Sequence, residues 1–299
     1  MRKILFILSE KYKLRSINDC LEICKEDKKI ISIPYSYIEQ IVLFSFVPTS
    51  SKVFMMLAKN NISYHILSKY GNYIGSYFPS FLVADNSNIT YRILQYEKYF
   101  SKSKRLELAK FFVKSKIINF SKYFEFNFME FLSRLQKTSK LTEILNVEAL
   151  ATKHIYSIFR EELNKFNISF SKRDYNPPKD SGNAILSFAF SLFYNLITPI
   201  LIKENLDIFI SYLHIKRGKH RALVSDFMEC IRPVIMFKIL KFLEETKNIK
   251  FVKIKNACYL SPESIKAYLN FINEDDNIDS IFKDLEFSIK EFKELLKNL

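Results

Sequence analysis

The chain has 299 residues, 48% hydrophobic and 26% charged, which excludes a disordered chain and allows two domains or one large one around a real core. Lys and Arg outnumber Asp and Glu by 46 to 32, giving a net charge of +14 and a pI of about 9.4. Such a balance points to a polyanionic partner, nucleic acid or an anionic membrane surface, although part of the lysine excess also matches the composition of an AT-rich genome.

The first eighty residues read as β-rich. Ile4–Ser9, Asp19–Cys24, Lys29–Ile33, Ile38–Phe46 and Ile62–Ser68 are short apolar runs separated by turn residues. One short helix is expected within 48–61, started by Thr49 to Ser51 and stopped by Asn60 and Asn61, and a last strand or hairpin near Gly71 and Gly75. Residues 79–90 have proline, serine and asparagine without a period and read as a linker. From Tyr91 the spacing becomes helical, with Leu94, Phe100, Leu108, Phe112 and Ile117 recurring among lysines. Further helices are expected at Phe128–Leu135, Val147–Phe166, Asn183–Ile202 and Ala222–Glu245, with two or three after Ser261. The expectation is an α+β chain: a small β-rich N-terminal domain (1–78), a linker (79–90) and a larger all-helical C-terminal catalytic domain (91–299).

Ser181–Ile202 carries no charge and is long enough to span a bilayer, but Ser187, Ser191, Asn195, Thr198 and Pro199 mark it as a buried central helix, so no membrane is expected as partner. Only five apolar residues run together near the N-terminus, too few for a signal peptide. The four cysteines have no paired metal spacing, and reduced thiols in a cytosol fit them best.

The stretch Ser211–Pro233 combines His214, a basic loop, and Asp226 and Glu229 three residues apart. On a helix, Ala222, Asp226, Glu229 and Pro233 share a face without bulky side chains, leaving room for a metal ion or phosphate. The same pattern also describes an amphipathic helix with its carboxylates in water. Glu148 would share an apolar face with Ala151, Ile155 and Phe159, an arrangement that needs a cation partner or the favourable field of a first helical turn. Lys216, Arg217, Lys219 and Arg221, with His220 among them, can neutralise phosphates without reading bases, or form a solvated loop. His65 and His154 read as packing or surface residues. Walker, GxGxxG, HExxH and GxSxG motifs are absent from the sequence.

In order and spacing, ISIPYSYIEQIVLF, LNVEALATKHIY, RDYNPPKDSGNAILSFAFSLFY, NLDIFISYLH and LVSDFMECIRP together resemble the CRISPR spacer integrase family, CRISPR-associated protein one. The resemblance covers most of the chain. It departs at Asn146 and Ala149, where the family has glycines, and at Asn205, Ile208 and Ser211 ahead of the histidine. It implies a dimerising β domain, a helical catalytic domain, and Mg²⁺ or Mn²⁺ held by Glu148, His214 and Glu229 with Asp226 close by. The implied activity is metal-dependent endonuclease and integrase chemistry, in which a DNA 3′-OH attacks a phosphodiester of a CRISPR repeat. The implied partners are double-stranded DNA, a second copy of the chain and the family's small second adaptation protein. DNA contacts are expected from the 216–221 cations and from Lys153, Lys172, Arg173 and Asn183. A transposon-type integrase of the same fold, or a basic scaffold binding DNA without catalysis, are the alternatives.

Overall fold

The computed structural model describes residues 3–79, 89–124, 126–174, 177–214, 218, 220–274 and 276–299. The run Ile38–Leu43 forms β5 at the centre of a four-stranded sheet in the order β1-β5-β6-β7, where β1 is Lys3–Ile7, β6 is Ser63–Leu67 and β7 is Tyr73–Tyr77. The first three strands are parallel and β7 is antiparallel to β6. Ile41 and Leu43 face a core shared with Leu14, Leu21, Val53 and Leu57, while Val42 and Phe44 face the helices. Burial on both faces explains why Ile41–Phe44 is a continuous apolar run and not an alternating one.

The strands β2 (Tyr12–Ile17), β3 (Cys20–Lys25) and β4 (Lys28–Pro34) make a separate antiparallel meander. The apolar-run criterion passes over β2, because its inward positions are only Leu14 and Ser16. Helix α1 (Ser51–Lys59) ends where Asn60 Nδ2 donates to the Met56 carbonyl at 2.9 Å and Asn61 takes φ 54°.

The helical part comprises α2 (Thr90–Phe100), α3 (Lys102–Phe124), α4 (Met129–Gln136), α5 (Leu141–Asn164), α6 (Ser181–Lys203), α7 (Ala222–Glu245), α8 (Pro262–Asn273) and α9 (Asn277–Asn298). It is not wholly helical: a hairpin of β8 (Phe251–Ile254) and β9 (Ala257–Leu260) precedes α8. Helix α5 starts six residues ahead of Val147 because Glu143 Oε2 accepts from the backbone N–H groups of Ser139 (2.8 Å) and Lys140 (3.2 Å). Helix α6 is long and apolar enough to cross a membrane, but 72% of its apolar window is buried inside the protein. Helix α7 packs against α3, α6 and α9, and its first ten residues are all buried.

The two parts share a core. Ile4, Val42, Phe44 and Leu67 join the helical cluster, and Phe44 stacks on Phe188 at 5.9 Å. Gln40 Nε2 donates to the Leu196 carbonyl (2.9 Å), and Ser191 Oγ to the Gly71 carbonyl (2.8 Å). Gly71 sits at φ 83°, and a Cβ there would meet the Phe188 ring at 2.6 Å. The expected linker falls largely in 80–88, outside the described residues, while residue 90 already opens α2.

His65 is fully buried on the helix-facing side of β6, between Gln40 Oε1 (3.2 Å), Ser63 Oγ (3.1 Å) and Ser76 Oγ (2.8 Å). Burial, with a smaller contribution from the Arg221 charge, pushes its pKa down to about 3. The unfolded chain therefore binds this proton first as pH falls below about 6.5, and the stability lost this way levels off below about 3. At pH 5 the imidazole is expected to cost about 2 kcal/mol relative to pH 7.5. Urea midpoints for the parent and His65→Gln at the two pH values check this; an equal pH dependence in both proteins would refute it.

Candidate active site

Glu148 on α5, His214 in the loop before α7 and Glu229 on α7 come together around the middle of α3. Lys116, on the buried stripe of α3 with Phe112, Val113 and Phe120, lies between the glutamates. Its ammonium is 2.5 Å from Glu148 Oε1 and 2.7 Å from Glu229 Oε2, and only 4% of its side chain is exposed. Thr152 Oγ1, one turn after Glu148, donates to Glu148 Oε1 at 2.7 Å and accepts from Lys116 at 2.6 Å. Arg232 Nη1 contacts the other Glu229 oxygen, Oε1, at 2.5 Å. His214 Nε2 points at the same oxygen from 3.7 Å. Asn119 Nδ2 ties α3 to α7 by donating to the Cys230 carbonyl at 2.7 Å.

Asp226 has no accessible surface and organises the loop that carries His214. Its Oδ2 accepts from the backbone N–H groups of Tyr212 (2.8 Å) and Leu213 (3.2 Å), and its Oδ1 from the His214 N–H (3.0 Å). The His214 ring also sets Nδ1 against Asp226 Oδ1 at 2.7 Å, so Nδ1 carries the proton and Nε2 presents its lone pair. With its oxygens engaged in this way, Asp226 orients His214. The loop is anchored from α2, where Gln95 and Asp207 bond reciprocally and Tyr212 donates its hydroxyl to the Gln95 carbonyl at 3.0 Å. Asn205, where the family has glycine, adopts the left-handed φ of 60° that asparagine tolerates.

The site's charges are set by its pairs. Burial opposes the Glu229 charge, but Arg232 and Lys116 beside it hold its carboxyl down at about 2. Burial likewise opposes the Lys116 ammonium, and Glu229 and Glu148 outweigh it, raising the pKa. For His214, the Asp226 hydrogen bond and charge outweigh burial, and its pKa is raised.

Among the described residues no three carboxylate, imidazole or thiol groups stand ready to ligate one ion, because Lys116 lies between the glutamates. The donor chemistry nevertheless fits a hard dication: two carboxylates and an imidazole lone pair. Glu229 Oε2 supports the fit, being buried without an aligned hydrogen-bond donor despite the nearby ammonium.

The helix face that reads as wet is therefore dry. Asp226 and Glu229 are as buried as the apolar residues opposite them, and cations balance Glu229 where water would otherwise serve.

The expected DNA contacts fare unevenly. Arg221 is 8% exposed, sandwiched between the rings of Tyr73 (4.9 Å) and Tyr194 (4.6 Å), and donates to Thr198 Oγ1 (2.7 Å) and Asn195 Oδ1 (2.8 Å). Held this way it clamps β7 to the helices and is not offered to a phosphate. Asn183 has no accessible surface; it bonds Asp180, the Lys172 carbonyl, Asp174 and Arg173, and so builds the start of α6. Arg173 is half-buried, donating also to Ser187 Oγ at 3.1 Å. His220 Nε2 lies 2.6 Å from Ser225 Oγ, with its ring parallel to Tyr194. Lys153 and Lys172 are exposed, whereas Lys216, Arg217 and Lys219 lie outside the described residues. Sequence reasoning missed Lys116, Thr152 and Arg232. The signal for Lys116 was present: a lysine one turn after Phe112 on an otherwise apolar stripe.

A family model described as CRISPR associated protein Cas1 matches residues 5–274. A CRISPR-associated endonuclease Cas1 from Methanocaldococcus jannaschii is 30% identical over 283 residues, 92% of this chain and 86% of the relative. One from Pyrococcus horikoshii is 28% identical over 282 residues, with 92% and 86% covered. The fold is similar to that of a Cas1 protein from Thermotoga maritima, with a TM-score of 0.81 at 20% identity over 99% of this chain and 96% of that one. It is also similar to that of a casposase bound to an integration product, with a TM-score of 0.83 at 17% identity over 99% and 91%. On the family match across 5–274 and the 30% identity to a relative over 92% of its length, this chain belongs to the CRISPR-associated Cas1 family.

Proposed function

We propose that this protein is a divalent-metal-dependent DNA endonuclease and integrase that inserts new spacers into a CRISPR array, a DNA 3′-OH attacking a repeat phosphodiester. The observation that carries the reading is the convergence of Glu148, His214 and Glu229, from chain positions up to 81 residues apart, on one buried polar cluster. Mg²⁺ or Mn²⁺ would be held by the two glutamates and His214 Nε2, and when bound it supplies activation of the attacking hydroxyl and neutralisation of phosphate charge. The chain's own residues do the rest. Asp226 fixes the His214 tautomer, Arg232 holds Glu229 in its charged form, and the exposed Lys153 and Lys172 meet the DNA backbone.

The relatives are named as Cas1 endonucleases, which favours a CRISPR array over a transposon end as target. A fold likeness to a Cas6-RT-Cas1–Cas2 complex, with a TM-score of 0.74, supports a Cas2-type protein as partner. A homodimer formed through the β-rich part, acting in the cytoplasm, belongs to the same reading.

The test is joining of a DNA 3′ end to a repeat-bearing duplex with Mn²⁺ or Mg²⁺. Glu148→Gln and His214→Ala are expected to lose joining while keeping salt-sensitive DNA binding. Full strand transfer by both variants would sink the assignment.

A further inference from the structure

Two carboxylates that face the same small, largely buried space must share a proton or a cation. In this chain the cation is a side chain, the Lys116 ammonium, which contacts Glu148 Oε1 and Glu229 Oε2 at once. We propose that Lys116 is the resident counter-ion of the glutamate pair, that a divalent cation binds in exchange for it, and that Lys116 thereby sets how tightly the metal is held. This rests on the metal-dependent reading above.

The geometry singles out Lys116 as the group that moves. Arg232 grips the opposite oxygen of Glu229, and its guanidinium lies over the Phe190 ring at 5.3 Å, which fixes the planar fork. Lys116 ends in a compact charge on a flexible four-carbon stem, which can swing away without disturbing α3. Its contact with Glu229 Oε2 is close but not an aligned hydrogen bond, so that oxygen keeps a lone pair to offer. Glu148 does not collapse when the ammonium leaves, because Thr152 Oγ1 still donates to Oε1 at 2.7 Å. With Arg232 already on Glu229, the ammonium and a dication together would bring four positive charges to two carboxylates, so one of the two must withdraw.

The experiment measures Mn²⁺ binding by electron paramagnetic resonance, without DNA, for the parent chain, Lys116→Met, Lys116→Arg and Lys247→Met. Melting temperatures with and without Mn²⁺ are read in parallel. Lys116→Met should bind Mn²⁺ about tenfold or more tightly, melt below the parent without metal, and gain more on adding Mn²⁺. Lys116→Arg keeps the charge and should bind no tighter than the parent. Lys247→Met removes an equal charge from the exposed surface and should stay within about twofold, as expected for screened charges. Should Lys116→Met not fold, Lys116→Gln takes its place. Binding by the parent with no gain in the folded Lys116 variant overturns the exchange alone; binding by neither overturns the metal-dependent reading itself.

Discussion

Replacing Asp226 with alanine will cost about 4–6 kcal/mol of stability, since each buried N–H left without an acceptor costs about 1–3 kcal/mol. Three backbone donors lose their partner at once: those of Tyr212, Leu213 and His214. Against a total stability of about 5–15 kcal/mol, that loss leaves the variant marginal at room temperature. Asp226→Asn separates stability from chemistry. Its amide oxygen can still accept from Tyr212 and Leu213, so the stability loss should be less than half that of alanine. Its NH₂ group, however, would face His214 Nδ1 and donate to it, which moves the imidazole proton to Nε2. The lone pair that faces Glu229 is then gone, and strand transfer should fall by on the order of 10³-fold, about 4 kcal/mol of barrier. Urea unfolding and the DNA-joining assay measure the two effects. Asp226→Asn retaining strand transfer within about threefold would show that the tautomer does not matter.

Glu229→Gln is expected to be the most damaging isosteric change at the site. It leaves the buried Lys116 with only the partly exposed Glu148, and takes from the partly exposed Arg232 the carboxylate it contacts. Removing one partner of a buried charge pair costs about 3–5 kcal/mol, because the remaining charge stays desolvated. Joining should fall to background. The pairing is checked by a double-mutant cycle in urea: combining Glu229→Gln with Lys116→Met should cost at least about 1 kcal/mol less than the sum of the single losses. Additive losses would mean that the ammonium and the Glu229 carboxylate do not interact. By the same reasoning Glu148→Gln, at a position 20% exposed and supported by Thr152, should cost far less stability while still abolishing chemistry.

Much of the fold was legible because periodicity records burial. The run Ile38–Phe46 gave a strand, which the fold places at the sheet centre, and Ala222–Glu245 was bounded correctly at both ends. Strand β2 escaped because polar residues alternate along it, and the hairpin β8–β9, though mostly apolar, because each of its strands is only four residues long; pairing with neighbours makes them strands.

At the site, residue types and order were enough to nominate Glu148, His214, Asp226 and Glu229. They were not enough to divide the labour among them. Asp226 and Glu229 stand three residues apart on one helix, yet one holds a loop and the other faces two cations. Arg221 and Asn183 show the opposite failure. Charge for Arg221 and the family resemblance for Asn183 suggested DNA contacts, while rings and carbonyls from distant segments enclose both.

The amino-acid sequence by itself determined the β-rich start, the helical remainder and the basic character, since these follow from spacing and composition, and through the family resemblance it nominated the acidic and imidazole groups. Only the tertiary structure decided that Lys116 stands between Glu148 and Glu229 and that Asp226 serves His214. The physical reason is that a buried charge takes its meaning from whichever partner folding brings within about 3 Å, and that partner can lie anywhere in the sequence.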